Sequence, residues 1–545
     1  MALSYSIMIV VEALVLVPSF SYLLLSQKKT STITLNRRTL IFVAVILFAG
    51  SAILFLLPKI NLVNNYEQAK LTTDAWDHYL VTRTWSFTGV IPTDLYSYYS
   101  NFPLTYVPQI VLNQVTGLSL FDAMTIYYFV VGVTGLLIIY GIAGEIIRGP
   151  KSERIVYAAI SGIVYSFLQY FNLLFVQQYP LAVGTVAGLF CIYAFALLAR
   201  KKSRALICLS IASIILAISH PFAPIFVSIL FFVYYLVNKA VVVRPNPYVG
   251  LVSRRIAVFV SLAAIIAGMT YSVFVATSTF EHGVRWSELD AQYTFEKISS
   301  DLFQSATSGV GKSFEGRYQA MDTTVYALNW ALPTSTSISM LIFLLIRRLR
   351  NESDSNHLLL PLAIMSTFLF ILSFAFSFVE FAFSRYFGAF ALAFNIPLTS
   401  YLIFRIVKIR LVLIRYAVLA VFGLAIISSV TDPTMLPQIR IGDTVFRNVP
   451  IYPAQLDIVA WDDFHASSKD QSRLIQTNLN AGPIRHYKEL YHYQNEIVVN
   501  PKNYTSFNHG SYLIIDKTRL DPSLELNANP MIDRVYDNSR IYFTN

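Results

Sequence analysis

The sequence predicts a polytopic α-helical membrane protein of about twelve transmembrane helices, followed by a small C-terminal extracytoplasmic α/β domain. Three observations predict it. Hydrophobic residues make up 55% of the chain and charged residues only 13%, about half the charged share of an ordinary globular domain. Apolar runs of about 20 residues, the length that crosses a bilayer as a helix, recur along the first four-fifths of the chain. The connections between those runs alternate between strongly basic and nearly uncharged. A soluble enzyme, a disordered chain and a fibrous protein are excluded by the composition.

The spans fall near residues 5–26, 39–58, 122–145, 155–172, 180–199, 204–219, 222–238, 256–278, 325–346, 358–379, 385–404 and 412–430. The first follows a start with no basic residues and reads as a retained helix rather than a cleaved signal. Basic residues crowd one set of connections, as in Lys28, Lys29, Arg37 and Arg38, or Arg200, Lys201, Lys202 and Arg204. The positive-inside rule places that set in the cytoplasm. Three segments then lie outside: 59–121, 279–324 and 431–545. Both termini are expected outside a plasma membrane, with residues 1–430 forming the membrane domain. The net charge of +10 is mostly this topology signal, so no nucleic-acid partner is expected. Cys191 and Cys208 sit in apolar runs without disulfide or zinc spacing.

The tail is polar and has no spanning run. A helix is expected over Ala454–Ser468, and strands over Arg473–Thr477, Glu496–Asn500 and Ser511–Asp516. Arg534–Tyr536 and Arg540–Phe543 flank Asp537-Asn538-Ser539, residue types that suit a hairpin turn. Asn503-Tyr504-Thr505 is a glycosylation sequon on the outer side.

Residues 71–119 of the first outer loop carry the chemistry. With a helix starting at Thr73, Asp74, Asp77 and His78 stand at i, i+3 and i+4, within an arc of about 100°. Arg83 then falls opposite Asp74 and is not its partner. Two carboxylates with a neighbouring imidazole and no local cation suit acid–base catalysis, or a divalent metal such as Mg or Mn held by Asp74, Asp77 and His78. The plainer alternative is a solvated helix start whose acids complement the helix dipole. Arg385 opens a span on the outer side, where basic residues are sparse, and its fork matches phosphate oxygens. His220 lies in Ser219-His220-Pro221, where two spans meet at the outer face, a place to line a substrate pocket or to cap a turn. Glu12 lies within the first span, near its outer end.

The order of features in this loop resembles a known family. An acidic pair opens it, then Gly89-Val90-Ile91-Pro92, a tyrosine-rich piece, Pro103-Leu104 and a closing Thr116-Gly117-Leu118-Ser119 before the next span. This looks like the first extracytoplasmic loop of GT-C fold membrane glycosyltransferases, such as protein O-mannosyltransferases, the aminoarabinose transferases of lipid A and archaeal relatives. The resemblance implies a GT-C-like membrane domain and a sugar donor linked to polyprenyl or dolichyl phosphate. It implies transfer to a glycan, lipid or protein acceptor by inverting displacement. Asp74 best matches the activating acid, with Asp77 second; Arg385, His78 and His220 would serve the donor phosphate or substrate. The family's DxD is DxxD here, which leaves the base and the metal open.

Other motifs fall away. Gly309-Val310-Gly311-Lys312-Ser313 lacks the first glycine of a P-loop because position 306 is alanine. Trp461-Asp462-Asp463 matches the oligosaccharyltransferase signature WWDxG poorly. The rival classes are a twelve-span transporter or flippase, which usually shows repeat symmetry and midplane charges, and a polysaccharide polymerase or ligase.

Overall fold

The computed structural model describes residues 73–90, 102–147, 150–168, 180–199, 205–240, 320–350, 358–377 and 383–408. It also describes single positions near 17–51, 259–271 and 420, and short strands between 440 and 544. The chain divides into two compact units: Met1–Lys59 with Tyr96–Met435, and Ile60–Leu95 with Leu436–Asn545. Residues Ile60–Leu95 of the first loop group with Leu436–Asn545.

The second unit contains α1 (Thr73–Thr88) and all the strands. The first unit contains the other described helices: α2 (Pro103–Thr116), α3 (Leu120–Ile146), α4 (Lys151–Phe167), α5 (Pro180–Ala199), α6 (Ala205–Ala217), α7 (Ala223–Ala240), α8 (Ala320–Leu349), α9 (Leu359–Ser377) and α10 (Phe383–Val407). Among the described residues, Asp122–Ile146, Pro180–Leu198, Leu332–Leu349 and Tyr386–Val407 are long and apolar enough to cross a membrane. Ile207–Ala217, Ala223–Val237 and Leu359–Ser373 are apolar but shorter. α4 covers most of the expected span 155–172, with Lys151, Glu153 and Arg154 in its first turn. The spans expected near 5–26, 39–58, 256–278 and 412–430 lie largely outside the described residues.

α10 is the hub of the first unit, buried almost throughout, whereas α3 exposes Ile126, Val130 and Leu137 along one side. An apolar helix that faces lipid needs no polar partner, but a polar residue inside the bundle does. α10 accordingly gathers a hydrogen-bonded network. Asn395 Nδ2 donates to Pro333 O at 2.8 Å, Ser337 Oγ at 2.6 Å and Thr336 Oγ1 at 3.1 Å, and Asn395 Oδ1 accepts the Thr399 hydroxyl at 2.6 Å. Thr336 and Thr399 also pair at 2.7 Å, and Ser337 reaches Ser366 of α9 at 2.8 Å. On another face of α10, Tyr157 of α4 donates to Pro397 O at 2.7 Å and rests edge-on against Phe404. Lys408 closes the helix with a buried ion pair to Glu153 at 2.7 Å.

α3 and α4 exchange tyrosines for glycines. Tyr165 of α4 covers Gly135 and donates to Gly132 O at 2.9 Å, while Tyr140 of α3 covers Gly162 and bonds Ser51 at 2.7 Å. Any larger residue at either glycine would collide with the facing phenol.

α2 is a helix the sequence reading left as loop. Pro103 opens it at a position where a missing N–H costs nothing. Pro108 inside it leaves the Leu104 carbonyl without its helical donor, and the Tyr127 hydroxyl takes that place. Gly117, at φ 71°, ends the helix, with its N–H on Asn113 O at 3.0 Å. Ser119 then caps α3, accepting the Asp122 N–H at 3.1 Å and donating to the Asp122 carboxylate at 2.6 Å. Thr116-Gly117-Leu118-Ser119 is thus a helix stop followed at once by a helix start.

In the second unit, β3 (Ile475–Thr477), β4 (Ile497–Val499), β5 (Tyr512–Asp516), β6 (Arg534–Asp537) and β7 (Ile541–Thr544) form one mixed sheet of order β4-β3-β5-β7-β6. The first three strands are parallel to one another, and β5, β7 and β6 run antiparallel. β1 (Arg440–Ile441) and β2 (Thr444–Val445) form a separate antiparallel pair. All five expected strands are present within a residue or two at each end. Asp537 pairs with Tyr542, so β6 runs one residue past its expected end, and the register shifts between Arg534 and Tyr536. The helix expected over Ala454–Ser468 lies outside the described residues.

Candidate functional site

The candidate residues fall into two groups, one in each unit. Asp74, Asp77 and His78 stand on the first two turns of α1. The helix starts at Thr73, so its register puts Asp74 four positions before His78 and Asp77 directly before it. The side chains of Thr73–Asp77 lie outside the described residues. From His78 onward the helix buries one stripe: His78 is 6% exposed, and Val81 and Thr82 are fully buried. The Thr82 hydroxyl bonds back to His78 O at 2.8 Å. Arg83 is elsewhere engaged, its guanidinium 5.8 Å from the Phe87 ring centroid. Burial raises the Tyr79 phenol above its ordinary value, against the opposing pull of Arg83. Gly89, at φ 67°, ends the helix and donates to Trp85 O at 2.9 Å. The glycine of the Gly-x-x-Pro piece is therefore a helix terminator.

His220 and Arg385 belong to the first unit. His220 sits in the turn between α6 and α7, fully buried. Its carbonyl accepts the Ala223 N–H at 3.3 Å, and its Nδ1 accepts the Phe222 N–H at 3.2 Å. The start of α2 is stitched to the same turn: the Leu104 N–H meets Ile218 O, and the Thr105 hydroxyl meets Ser219 O, both at 3.4 Å. The His220 ring lies 5.6 Å from the Tyr386 ring. Tyr386 follows Arg385 in the first turn of α10, so the structure brings His220 to the helix end that carries Arg385. The Arg385 side chain is outside the described residues.

Sequence reasoning missed three contributors here. Thr105, Tyr386 and Gly184 organise this end of the bundle, and of these only α2 left a signal, in Pro103 and Gly117. Among the residues whose side chains are described, no three His, Cys, Asp or Glu converge to hold a metal. The candidate set of Asp74, Asp77 and His78 falls only partly within them.

No protein-family model matches the chain, and no curated protein matches it. Solved structures do. The apo oligosaccharyltransferase of Archaeoglobus fulgidus superposes with a TM-score of 0.53 at 12% identity, over 88% of this chain and 70% of that one. The archaeal oligosaccharyltransferase AglB from the same organism, in complex with an inhibitory peptide and a dolichol-phosphate, gives 0.50 at 12% identity, over 87% and 69%. ArnT from Cupriavidus metallidurans bound to undecaprenyl phosphate aligns over 92% and 97% at 8% identity, but with a TM-score of 0.37, too loose to argue from. The chain has the fold of the archaeal oligosaccharyltransferase, the GT-C fold expected from its first loop.

Proposed function

We propose that this GT-C-fold chain is a membrane glycosyltransferase that takes a sugar from a polyprenyl- or dolichyl-phosphate-linked donor and moves it to an acceptor on the outer face of the plasma membrane. The observation that carries the reading is the run of Asp74, Asp77 and buried His78 at the start of α1, in a chain that shares the archaeal oligosaccharyltransferase fold over most of its length. A site outside the cytosol has no nucleotide sugar to draw on, so its donor must already have crossed the bilayer. A polyprenyl carrier supplies both anchor and leaving group, and a dolichol-phosphate accompanies the archaeal structure.

In the proposed reaction an acceptor hydroxyl attacks the anomeric carbon while Asp74 takes its proton. The bond from that carbon to the phosphate oxygen breaks on the opposite side, inverting the centre. The carrier phosphate departs with the bonding electrons. Asp77, one turn along, would raise the proton affinity of one of the two carboxyls by like-charge repulsion unless a cation sits between them, which suits a base. His78 offers the departing phosphate a donor; Arg385, in the other unit, has the planar pair of donors that suits a phosphate. Two carboxylate positions and an imidazole on one helix face have the donor chemistry of a Mg or Mn site. When bound, such a cation would stabilise phosphate oxygens. The spans form the apolar surroundings of the carrier tail, the strands belong to an outer α/β domain, and both termini lie outside. A glycan, a lipid or a protein is the acceptor.

The test is Asp74→Asn. Transfer from a lipid-linked sugar in reconstituted vesicles should fall by about a hundredfold or more, the scale of a lost general base, while carrier binding survives. Unchanged transfer in that variant removes the assignment.

A further inference from the structure

The turn at His220 does more than reverse the chain. Nδ1 accepts a backbone N–H at 3.2 Å, and an imidazole that accepts there is neutral, with its proton on Nε2. The ring is gripped from several sides. Against α5, a Cβ added at Gly184 would fall 2.6 Å from the His220 Cβ, so the approach depends on glycine. Within its own turn, the ring lies 5.9 Å from Phe222. Against α10, it lies 5.6 Å from Tyr386, which itself stacks on Phe222 at 4.7 Å. Phe226 continues this aromatic column to Phe387 at 5.7 Å and Phe390 at 4.7 Å. His220 is fully buried and Tyr386 is 7% exposed. A ring enclosed in this way would have to leave its seat to touch a ligand.

We infer that His220 is a positioning residue: pressed against Gly184, it clamps Tyr386 and so fixes the first turn of α10, the turn that carries Arg385, for an anionic phosphate group. The role of the phosphate rests on the function proposed above; the clamp does not. His220 acts through the helix end rather than on the substrate.

The full chain in lipid nanodiscs tests this with two readouts, hydrogen exchange over residues 383–394 and binding of dolichyl phosphate. His220→Asn keeps an acceptor for the Phe222 N–H, since asparagine bonds the backbone two residues on, and removes only the ring. Exchange at the start of α10 should rise about threefold to tenfold, the scale of one lost aromatic contact. Affinity for dolichyl phosphate should fall by a similar factor, and the loss should vanish in an Arg385→Gln background. Tyr386→Leu makes the same test from the other side of the contact if His220→Asn does not fold. His220→Phe, which keeps a ring, should preserve protection of α10. Unchanged exchange in both His220→Asn and Tyr386→Leu overturns the clamp. Losses of affinity that multiply in the His220→Asn/Arg385→Gln double variant overturn it as well, because His220 would then act by itself. Faster exchange with an affinity indifferent to Arg385→Gln upholds the clamp and removes the donor-phosphate reading.

Discussion

Replacing Asn395 with alanine should loosen α8 from α10, and the structure sets the size of the effect. The side chain is fully buried. Its amide nitrogen carries two hydrogens and has three oxygens in reach, so two bonds form at full strength at any moment, and the Thr399 hydroxyl adds a third. Alanine removes these bonds without stranding the partners. Thr399 keeps Thr336, Ser337 keeps Ser366, and Pro333 O keeps the Thr336 hydroxyl at 2.9 Å. The loss is therefore that of the bonds alone. Only the two bonds donated to α8 join the helices, the Thr399 bond lying within α10. At about 0.6 kcal/mol for each interhelical bond in a membrane bundle, the two come to about 1.2 kcal/mol, or about eightfold in the frequency of local opening. Hydrogen exchange followed by mass spectrometry in nanodiscs reads this directly over residues 333–340 and 391–400. Leu137→Ala on α3, a residue 53% exposed and facing the surroundings of the bundle, serves as the control and should leave those segments unchanged. Equal exchange in Asn395→Ala and the control would refute the claim that this network joins the helices.

Other outcomes follow from the same contacts. Glu153→Gln or Lys408→Met removes one charge from an ion pair whose side chains are 9% exposed, and each should destabilise the bundle by about 3–5 kcal/mol. Glu153→Met with Lys408→Met should recover most of that in a thermal melt. Gly162→Ala places a methyl against the Tyr140 hydroxyl and should cost about 1–3 kcal/mol as overpacking; Tyr140→Phe should partly suppress it, measured by the same melt. Chelation by EDTA separates the two readings of the acidic helix. Activity lost on chelation and restored by Mn or Mg assigns Asp74, Asp77 and His78 to a metal, and unchanged activity assigns them to proton transfer alone.

Local patterns were legible in the sequence, and distant partnerships were not. Pro180–Ala199 was read to the residue and Leu120–Ile146 to within two, because an uninterrupted apolar run of that length has one stable form in a bilayer. The strands were legible from short β-branched and aromatic runs such as Tyr512–Asp516. The helix holding Asp74 and His78 was legible from its start at Thr73. α2 was not read, since its prolines look like loop residues until one sees Tyr127 supply the bond that Pro108 cannot. Asn395 gave no hint of its role, because its partners on α8 lie about 60 positions earlier. His220 was read as lining a pocket or capping a turn, and its Nδ1 does cap the turn; the close approach of Gly184, 36 positions away, could not be seen from the sequence.

The hub position of α10 bears on how the chain is made. Tyr157 finds its acceptor 240 residues later, and Glu153 its lysine 255 residues later. At about 5–20 residues per second of synthesis, the carboxylate waits roughly 13–51 s for its counter-charge. Throughout that interval Tyr157 and Glu153 lack the α10 partners they hold in the finished bundle. Completion of these contacts is a late event, since a chain that ends before Phe383 lacks the helix that supplies both partners.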